Sequence, residues 1–213
     1  MRTIIVGDIH GCFYTLKDLL NKVKYNKQED KIIFLGDYID RGKNSYEVVS
    51  FLIDLQKEVG NNNCICLMGN HEDMWLEDRI CSMYTGGVWT EESFKKHNVS
   101  LEHFNDWFKN LPLFYEADRF IACHAGFSHP KLKDHTKEEL LWNRKQVLIL
   151  PNMTEKQVIF GHTTNDDLSY YILRNGNVCI DTGCCFGGKL TAVIVEDNKP
   201  FQFIQTERNE EDI

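Results

Sequence analysis

Aspartate, asparagine and histidine gather at five places in this sequence, each directly after a short apolar run. The five clusters are GDIHG (7–11), GDYIDRG (36–42), GNHE (69–72), CHAG (123–126) and FGHTT (160–164). A single histidine after a strand is usually an ordinary hydrogen-bonded loop residue. Five clusters with the same residue types at the same kind of position are hard to explain in that way, so we interpret them as parts of one site.

The candidate metal ligands in these clusters are carboxylate, amide and imidazole groups: Asp8, His10, Asp37, Asn70, His124 and His162. A donor set without thiolates suits Mn²⁺, Fe²⁺ or Zn²⁺ better than a structural zinc or calcium site. Six protein ligands are too many for one metal ion that keeps an open position, but they suit two ions that share Asp37. Two adjacent ions can clamp the attacking and leaving oxygens of a phosphoryl group, with a bound hydroxide as nucleophile.

The remaining polar residues of the clusters predict the other parts of a phosphate-hydrolysing site. His71 directly follows the candidate ligand Asn70, so it would lie near the leaving group and could donate a proton to it. Asp40 is the candidate carboxylate that fixes the tautomer of His71. Arg41 offers a planar fork of donors for phosphate oxygens. Arg144 could add a second fork from the far side of a cleft, with an ordinary surface arginine as an equal alternative.

The segments between the clusters predict the elements that position them. RTIIV (2–6), KIIFL (31–35) and CICLM (64–68) have the character of buried strands, and the apolar spacing in 12–25 and 45–59 predicts helices. This alternation favours an α/β sheet with parallel strand pairs that are covered by helices. Ligands bind outside the carboxyl ends of the strands in such sheets, which is where the clusters begin.

The second half of the chain has a different pattern. Residues 73–110 are rich in tryptophan and phenylalanine and predict a small helical insertion that forms a cap or a side wall. Strand patterns follow, with hairpin signals at RNGN (174–177) and EDNK (196–199). We expect residues 1–206 to form one domain and residues 207–213 to be a frayed acidic tail.

Composition narrows the class of protein. The 213 residues are 42% hydrophobic and 26% charged, which is the balance of one globular domain. The net charge of −8 argues against nucleic acid or an anionic membrane as partner. No apolar run approaches the about 20 residues of a membrane span, and the first run is too short for a signal peptide, so we expect a cytoplasmic protein. The eight cysteines contain no CxxC pair and are expected to be buried free thiols.

In their order and residue types, GDIHG, GDYIDRG and GNHE, followed by His124 and His162, resemble the phosphoprotein phosphatases among the metallophosphoesterases. The likeness is strongest to the small bacterial and bacteriophage lambda-type serine/threonine phosphatases, and it includes the segment CIDTGCCFGGKLTAV (179–193). The resemblance implies a calcineurin-like α/β (α+β) fold, a β-sandwich of two mixed sheets flanked by helices. That differs from the largely parallel sheet that the residues alone suggest.

The resemblance also implies a role for each site residue. Asp8, His10 and Asp37 would hold a first metal ion, often Mn²⁺, and Asp37, Asn70, His124 and His162 a second. His71 would be the general acid paired with Asp40, and Arg41 and Arg144 would bind phosphate next to Asn70. Asp181 lies in the matched segment, and we assign it no role beyond support of the ligands.

The leading functional hypothesis is a metal-dependent phosphatase for protein phosphoserine and phosphothreonine, with phosphotyrosine as a further candidate substrate. The nearest rival is a symmetrical diadenosine tetraphosphate hydrolase, a family that typically lacks the equivalent of Asp40 and reads GNHD where this chain has Glu72. A non-catalytic metal-binding scaffold is disfavoured because all candidate ligands, His71 and Arg41 are present. The predicted partner is a phosphorylated protein or a small phosphoester, and a monomer is compatible with the sequence.

Overall fold

The computed structural model of the chain describes residues 2–77, 85–127, 135–149 and 154–213. Two five-stranded sheets pack face to face, and helices cover their outer faces. The first sheet contains β1 (Arg2–Val6), β2 (Asp30–Phe34), β3 (Cys64–Cys66), β9 (Lys189–Val195) and β10 (Gln202–Glu207), in the order β10-β9-β1-β2-β3. Strands β1, β2 and β3 are parallel, whereas β9 is antiparallel to both of its neighbours.

The second sheet contains β4 (Phe114–Glu116), β5 (Phe120–Cys123), β6 (Gln157–Phe160), β7 (Tyr171–Ile172) and β8 (Val178–Cys179), in the order β4-β5-β6-β8-β7. Its three central strands are parallel, and the two edge strands are antiparallel to their neighbours. Both sheets are therefore mixed.

Seven helices lie within the described residues: α1 (Phe13–Lys22), α2 (Ser45–Val59), α3 (Asn70–Leu76), α4 (Gly87–Lys96), α5 (Asn105–Lys109), α6 (Lys137–Trp142) and α7 (Lys145–Ile149). Short 3-10 turns occur at Leu101–Phe104, Cys184–Phe186 and Glu210–Asp212. None of the helices in the described part of the chain is long and apolar enough to cross a membrane.

The alternation of side chains along the strands explains the layers. In β1, Ile4 and Val6 pack with α1 and α2 in one apolar cluster, whereas Ile5 packs in the layer between the two sheets. In the second sheet, Ile159 of β6 enters that same middle layer and Val158 packs outward in a third cluster. The chain therefore buries both faces of each sheet.

The two mixed sheets confirm the fold that the resemblance implied, and the largely parallel sheet suggested by the residues alone is incomplete. The parallel β1, β2 and β3 are as predicted, and α2 has the predicted bounds. Both predicted hairpins are present, as β7–β8 and β9–β10. The correction comes from β9, which pairs with β1 across almost the whole chain length, a contact that no local pattern indicates.

The acidic tail is not frayed, which corrects the expectation for 207–213. Asp212 is fully buried and accepts hydrogen bonds from Tyr14 N (3.2 Å), Thr15 N (2.7 Å), Thr15 Oγ1 (2.7 Å) and Asn44 Nδ2 (2.9 Å). The residue before α1, Cys12, makes no side-chain cap, so Asp212 satisfies the free N–H groups of the first turn of this helix instead.

The region predicted as an insertion, 73–110, contains the end of α3 together with α4, α5 and one 3-10 turn, and residues 78–84 within it lie outside the described residues. Its role as a cap or side wall and the single-domain boundary stay predictions. The described cysteines are all free thiols, and six of these seven are buried. Cys81 lies outside the described residues.

Candidate metal centre

The five polar clusters meet at one end of the two sheets. They follow β1, β2, β3, β5 and β6 in turn, and these strands point their carboxyl ends to the same cleft. The cleft has a volume of about 290 Å³. Its polar lining contains Asp8, His10, Asp37, Arg41, Asn70, His71, Arg144, His162 and Asp181. The structure thus brings all predicted site residues together. Asp40 and His124 do not line the cleft but are fully buried just behind its wall.

Asp37 lies at the centre of the candidate ligands. Its Oδ2 is 3.3 Å from His10 Nε2, and its Oδ1 is 3.4 Å from His124 Nε2. Possible ligand atoms of His10, Asp37 and His71 lie within 4.8 Å of one another, and so do those of Asp37, His124 and His162. Asp37 is the only residue common to these two groups, which is the geometry expected of a carboxylate shared by two cations.

His124 presents a lone pair to the second of these groups. Its Nδ1 donates a hydrogen bond to Leu35 O at 3.0 Å, so its Nε2 is the unprotonated nitrogen of the neutral ring. That Nε2 lies 2.8 Å from Asn70 Oδ1 and 3.2 Å from His162 Nδ1. Several electron-donating atoms therefore converge on one volume, where a cation would stabilise them.

The first group is built in the same way. His10 Nδ1 donates to Ile39 O at 2.8 Å, which directs Nε2 towards Asp37 Oδ2 at 3.3 Å. Asp8 accepts a hydrogen bond from His162 N at its Oδ2 (2.9 Å), but its buried Oδ1 has no hydrogen-bond partner within the described residues. A Cβ at position 161 would lie 1.9 Å from that oxygen, so a residue larger than glycine would displace the Asp8 carboxylate.

Burial and neighbouring charges shift the pKa values of the candidate ligands in opposite directions. Burial, followed by the neighbouring Asp181 carboxylate, raises the pKa of Asp8 well above its ordinary value. Burial would also raise the pKa of Asp37, but the imidazoles of His124, His71 and His10 hold it well below the usual range. Burial lowers the pKa of His124, and burial together with His124 lowers the pKa of His162 to about 2. Burial would lower the pKa of His10, but the hydrogen bond and the charge of Asp37 raise it. His124 and His162 are thus the imidazoles held neutral, and together with the crowded carboxylates they fit divalent cations.

Two details differ from the predicted ligand sets. Asp8 belongs to neither group of closely spaced ligand atoms, so its place on the first metal ion stays a prediction that is supported by its unpaired Oδ1. His71 lies close to His10 and Asp37, although the sequence predicted it to be free of metal. Oxygen and imidazole donors, one shared carboxylate and buried unpaired acceptors nevertheless fit a pair of divalent ions.

His71 and Asp40 form a buried pair beside the ligands. His71 Nδ1 donates to Asp40 Oδ2 at 2.7 Å, and both side chains are almost completely buried. This hydrogen bond fixes the tautomer, so that Nε2 is the atom that can exchange a proton with a substrate. His71 Nε2 is 3.9 Å from Asp37 Oδ2, and the backbone N–H of His71 donates to Asp37 Oδ1 at 3.1 Å.

Glu72 holds two of the site loops together from behind. Its Oε2 accepts from Asp37 N (2.9 Å) and Gly69 N (3.0 Å), and its Oε1 accepts from Tyr38 N (2.7 Å) and Ile39 N (3.3 Å). Burial and the Asp37 carboxylate raise the pKa of Glu72 to about 8, although the hydrogen bonds from these N–H groups lower it. The surplus of negative charge is a further sign that cations complete this cluster.

The two predicted arginines line the cleft, as expected. The guanidinium of Arg41 lies over the ring of Phe186, 4.8 Å from its centroid, and Phe186 is 56% exposed at the cleft. Arg144 is exposed and its Nη1 donates to His162 O at 3.0 Å. Both guanidinium groups can therefore reach an anion that enters the cleft, and the phosphate-binding role stays a prediction.

Left-handed backbone occurs repeatedly at the site. Five site residues other than glycine have φ between 46° and 69°: His10, Asp37, Asp40, Arg41 and His162. Such conformations are unfavourable for residues with a Cβ and persist only when the surroundings enforce them. The fold therefore stores strain where the candidate chemistry is located.

Sequence reasoning missed three residues that contribute to the site. Phe186 lies in a segment that was singled out, but nothing in the sequence indicated its contact with Arg41. Glu72 was noted only because it separates the protein phosphatases from the diadenosine tetraphosphate hydrolases, whereas in the structure it accepts hydrogen bonds from backbone N–H groups. Thr90 contacts Asp40 from α4 and carries no sequence signal.

Known proteins resemble the whole chain. Residues 1–200 match the sequence profile of the calcineurin-like phosphoesterases. Serine/threonine-protein phosphatase 1 of Salmonella typhimurium is 29% identical, over 90% of this chain and 91% of that protein. The asymmetrical bis(5'-nucleosyl)-tetraphosphatase PrpE of Anoxybacillus flavithermus is 28% identical, over 89% of this chain and 88% of that protein. A solved protein serine/threonine phosphatase from Saccharomyces cerevisiae has a TM-score of 0.78 at 19% identity, over 99% of this chain and 81% of that one.

Proposed function

The chain belongs to the calcineurin-like phosphoesterase family, and on that premise we propose that it is a metal-dependent phosphatase for protein phosphoserine and phosphothreonine, with phosphotyrosine within its range. Family membership supports phosphoester hydrolysis in general. The narrower proposal rests on one observation, the buried hydrogen bond of 2.7 Å between His71 Nδ1 and Asp40 Oδ2.

That pair matters because leaving groups differ in their need for a proton. Serine and threonine leave as alkoxides, which are strongly basic, so a positioned general acid accelerates their departure by about 10²–10⁴-fold. A nucleotide that leaves from a dinucleoside polyphosphate is already a stable anion, so a general acid accelerates its departure less. A complete acid pair is therefore more useful to an enzyme that hydrolyses monoesters of alcohols.

We assign the residues of the cleft as follows. His10, Asp37 and Asp8 would hold one divalent ion, and Asp37, Asn70, His124 and His162 the other, with Mn²⁺ as the first choice and iron or zinc as alternatives. The bound ions would supply Lewis-acid charge and activate a water molecule. Arg41 and Arg144 neutralise the phosphate oxygens, and Asn70 lies beside them.

The proton transfer falls to His71 in this proposal. Protonated His71 gives the proton on Nε2 to the leaving oxygen, while Asp40 holds the Nδ1–H and stabilises the imidazolium. The left-handed backbone at Asp40 and Arg41 aims one residue at His71 and the other at the phosphate. Neighbours in the sequence thereby serve different partners.

The second candidate is hydrolysis of a dinucleoside tetraphosphate. Relatives of comparable identity carry that name, and the exposed ring of Phe186 at the cleft could stack on a nucleobase. A matched assay separates the two candidates: Mn²⁺-loaded protein is given phosphoserine, phosphothreonine and phosphotyrosine peptides in parallel with diadenosine tetraphosphate. We expect the larger kcat/KM for the phosphopeptides, and a preference for the dinucleotide would overturn the proposal in favour of the second candidate.

The remaining expectations from the sequence stay predictions. They are the cytoplasmic location, the identity of the metal and the absence of nucleic acid as a partner. Metal analysis of protein purified without added metal would identify the ions that the site selects.

A further inference from the structure

Helix α4 brings one buried hydroxyl group to Asp40. Thr90 Oγ1 donates a hydrogen bond to Asp40 Oδ1 at 2.9 Å and accepts one from Asp40 N at 2.7 Å. Thr90 is 2% exposed, and Asp40 is 0% exposed. The same hydroxyl therefore binds both the backbone and the side chain of the residue that orients His71.

A third contact defines the direction of these hydrogen bonds. Ser45 Oγ lies 3.2 Å from Thr90 Oγ1 and is also fully buried. A hydroxyl has one proton to donate and two lone pairs to accept with. Because Thr90 gives its proton to Asp40, Ser45 must donate to Thr90, and the second lone pair accepts from Asp40 N. The hydrogen-bonding capacity of the Thr90 hydroxyl is then fully used.

This arrangement determines how the Asp40 carboxylate can act. Its Oδ1 accepts from Thr90 and its Oδ2 accepts from His71 Nδ1. Rotation of the carboxylate would break both hydrogen bonds at once, between side chains that are all buried. Thr90 thus holds the plane of the Asp40 carboxylate, and through it the ring of His71, with Nε2 towards the cleft.

The segment around Thr90 also supports strained backbone. Asp40 and Arg41 have φ values of 69° and 67°. The N–H of Asp40 binds Thr90 Oγ1, and the N–H of Arg41 binds Gly86 O at 3.3 Å. Both consecutive left-handed residues are therefore held by the segment 86–90, which lies in the region that the sequence predicted as an insertion.

We propose that Thr90 is a positioning residue for phosphoester hydrolysis, which acts through Asp40 to orient the general acid His71. The inference rests on the proposed function, since it concerns the acid step of that reaction. It predicts an effect that depends on the leaving group, because a misplaced acid matters most when the leaving oxygen needs a proton.

The test compares three variants on two esters of similar size. Thr90→Val removes the hydroxyl and keeps the shape, Thr90→Ser keeps the hydroxyl, and Ser93→Ala is the matched control. Ser93 lies on the same helix, is equally buried, and binds Tyr46 N and Glu47 rather than Asp40. For Thr90→Val we expect kcat to fall about 10-fold or more on phenyl phosphate and less than about 3-fold on p-nitrophenyl phosphate, with KM nearly unchanged. Thr90→Ser should retain most of the wild-type kcat on phenyl phosphate.

Equal losses of Thr90→Val on both esters, or equal effects of Thr90→Val and Ser93→Ala, would overturn the positioning role. A measurement that does not depend on catalytic activity separates this inference from the proposed function. In the metal-free protein, nitrogen-15 NMR of the imidazoles should show His71 as the Nδ1–H tautomer, assigned by its absence in His71→Gln.

Thr90→Val should weaken or abolish the Nδ1–H resonance, and Ser93→Ala should leave it in place. If the wild-type protein hydrolyses neither these esters nor phosphoserine and phosphothreonine peptides, the proposed function fails while the NMR result still decides the role of Thr90. An unchanged Nδ1–H resonance in Thr90→Val would refute that role. If Thr90→Val does not fold, Thr90→Ala and the Ser rescue supply the same comparison.

Discussion

Asp212→Ala tests whether a residue near the end of the chain holds in place the loops that carry the candidate metal ligands. The carboxylate of Asp212 accepts four hydrogen bonds, from Tyr14 N, Thr15 N, Thr15 Oγ1 and Asn44 Nδ2, at 2.7–3.2 Å. Helix α1 follows the GDIHG loop directly, and Asn44 follows the GDYIDRG loop. One buried side chain therefore connects two loops that carry candidate ligands.

The expected loss of stability follows from these contacts. Removal of a helix N-cap carboxylate costs about 0.5–2 kcal/mol. The buried Thr15 hydroxyl that Asp212→Ala leaves without an acceptor costs about 1–3 kcal/mol. Asn44 Nδ2 keeps only a long hydrogen bond of 3.5 Å to Glu211 O and adds a cost of similar size, less the burial cost of the carboxylate itself. We expect a net decrease of about 3 kcal/mol in the free energy of unfolding, which lowers the Tm of a chain of this length by about 6–12 °C.

The assay is urea denaturation of chelator-treated protein, so that metal binding does not add to the stability of either variant. Asp18→Ala is the matched control, because Asp18 also lies on α1 and also binds the tail, through Asn209 Nδ2, but is exposed. Asp18→Ala should lower the free energy of unfolding by less than about 1 kcal/mol. The reasoning is refuted if Asp212→Ala destabilises the protein no more than Asp18→Ala. If it does destabilise, half-maximal activity should also require more Mn²⁺.

Further predictions concern the site itself. Asp37→Asn should lose metal content together with activity, measured by elemental analysis of the purified protein, and a fully metallated, active variant would contradict the shared-ligand role. His71→Asn should retain metal but lose about 10²–10⁴-fold in kcat on phosphoserine peptides and much less on p-nitrophenyl phosphate, with equal losses speaking against the acid role. Phe186→Ala should raise KM about 2–5-fold with little change in kcat, because Arg41 loses a contact worth about 0.5–1 kcal/mol at an exposed site, and an unchanged KM would show that Arg41 is held in another way. Gly161→Ala should abolish metal binding in titrations, since its Cβ would lie 1.9 Å from Asp8 Oδ1, and wild-type affinity would contradict that geometry.

The sequence was informative wherever the relevant contacts are local. The helix over 45–59 and the strands of the first three units follow from apolar periodicity, since a helix and a buried strand impose different spacings on the same residues. The ligand candidates could be named for a related reason. Parallel strands end at one edge, so polar residues after each of them must meet.

The features that could not be predicted depend on contacts between distant parts of the chain. β9 pairs with β1, Asp212 caps α1, and Thr90 binds Asp40, each through hydrogen bonds that leave no periodic trace in the sequence. The tail shows the limit clearly. Its acidic composition is typical of a frayed end, and only the unsatisfied N–H groups of α1 explain why Asp212 is buried there.

The left-handed backbone of five site residues has a consequence for the evolution and engineering of this enzyme. At His10, Asp37, Asp40, Arg41 and His162, glycine would relieve about 1–2 kcal/mol of backbone strain per position. A selection for thermal resistance alone would therefore favour the removal of the candidate metal-ligand and phosphate-binding side chains. Laboratory evolution of stabilised variants needs a simultaneous selection for turnover, because heat tolerance and hydrolysis favour different residues at the same five positions.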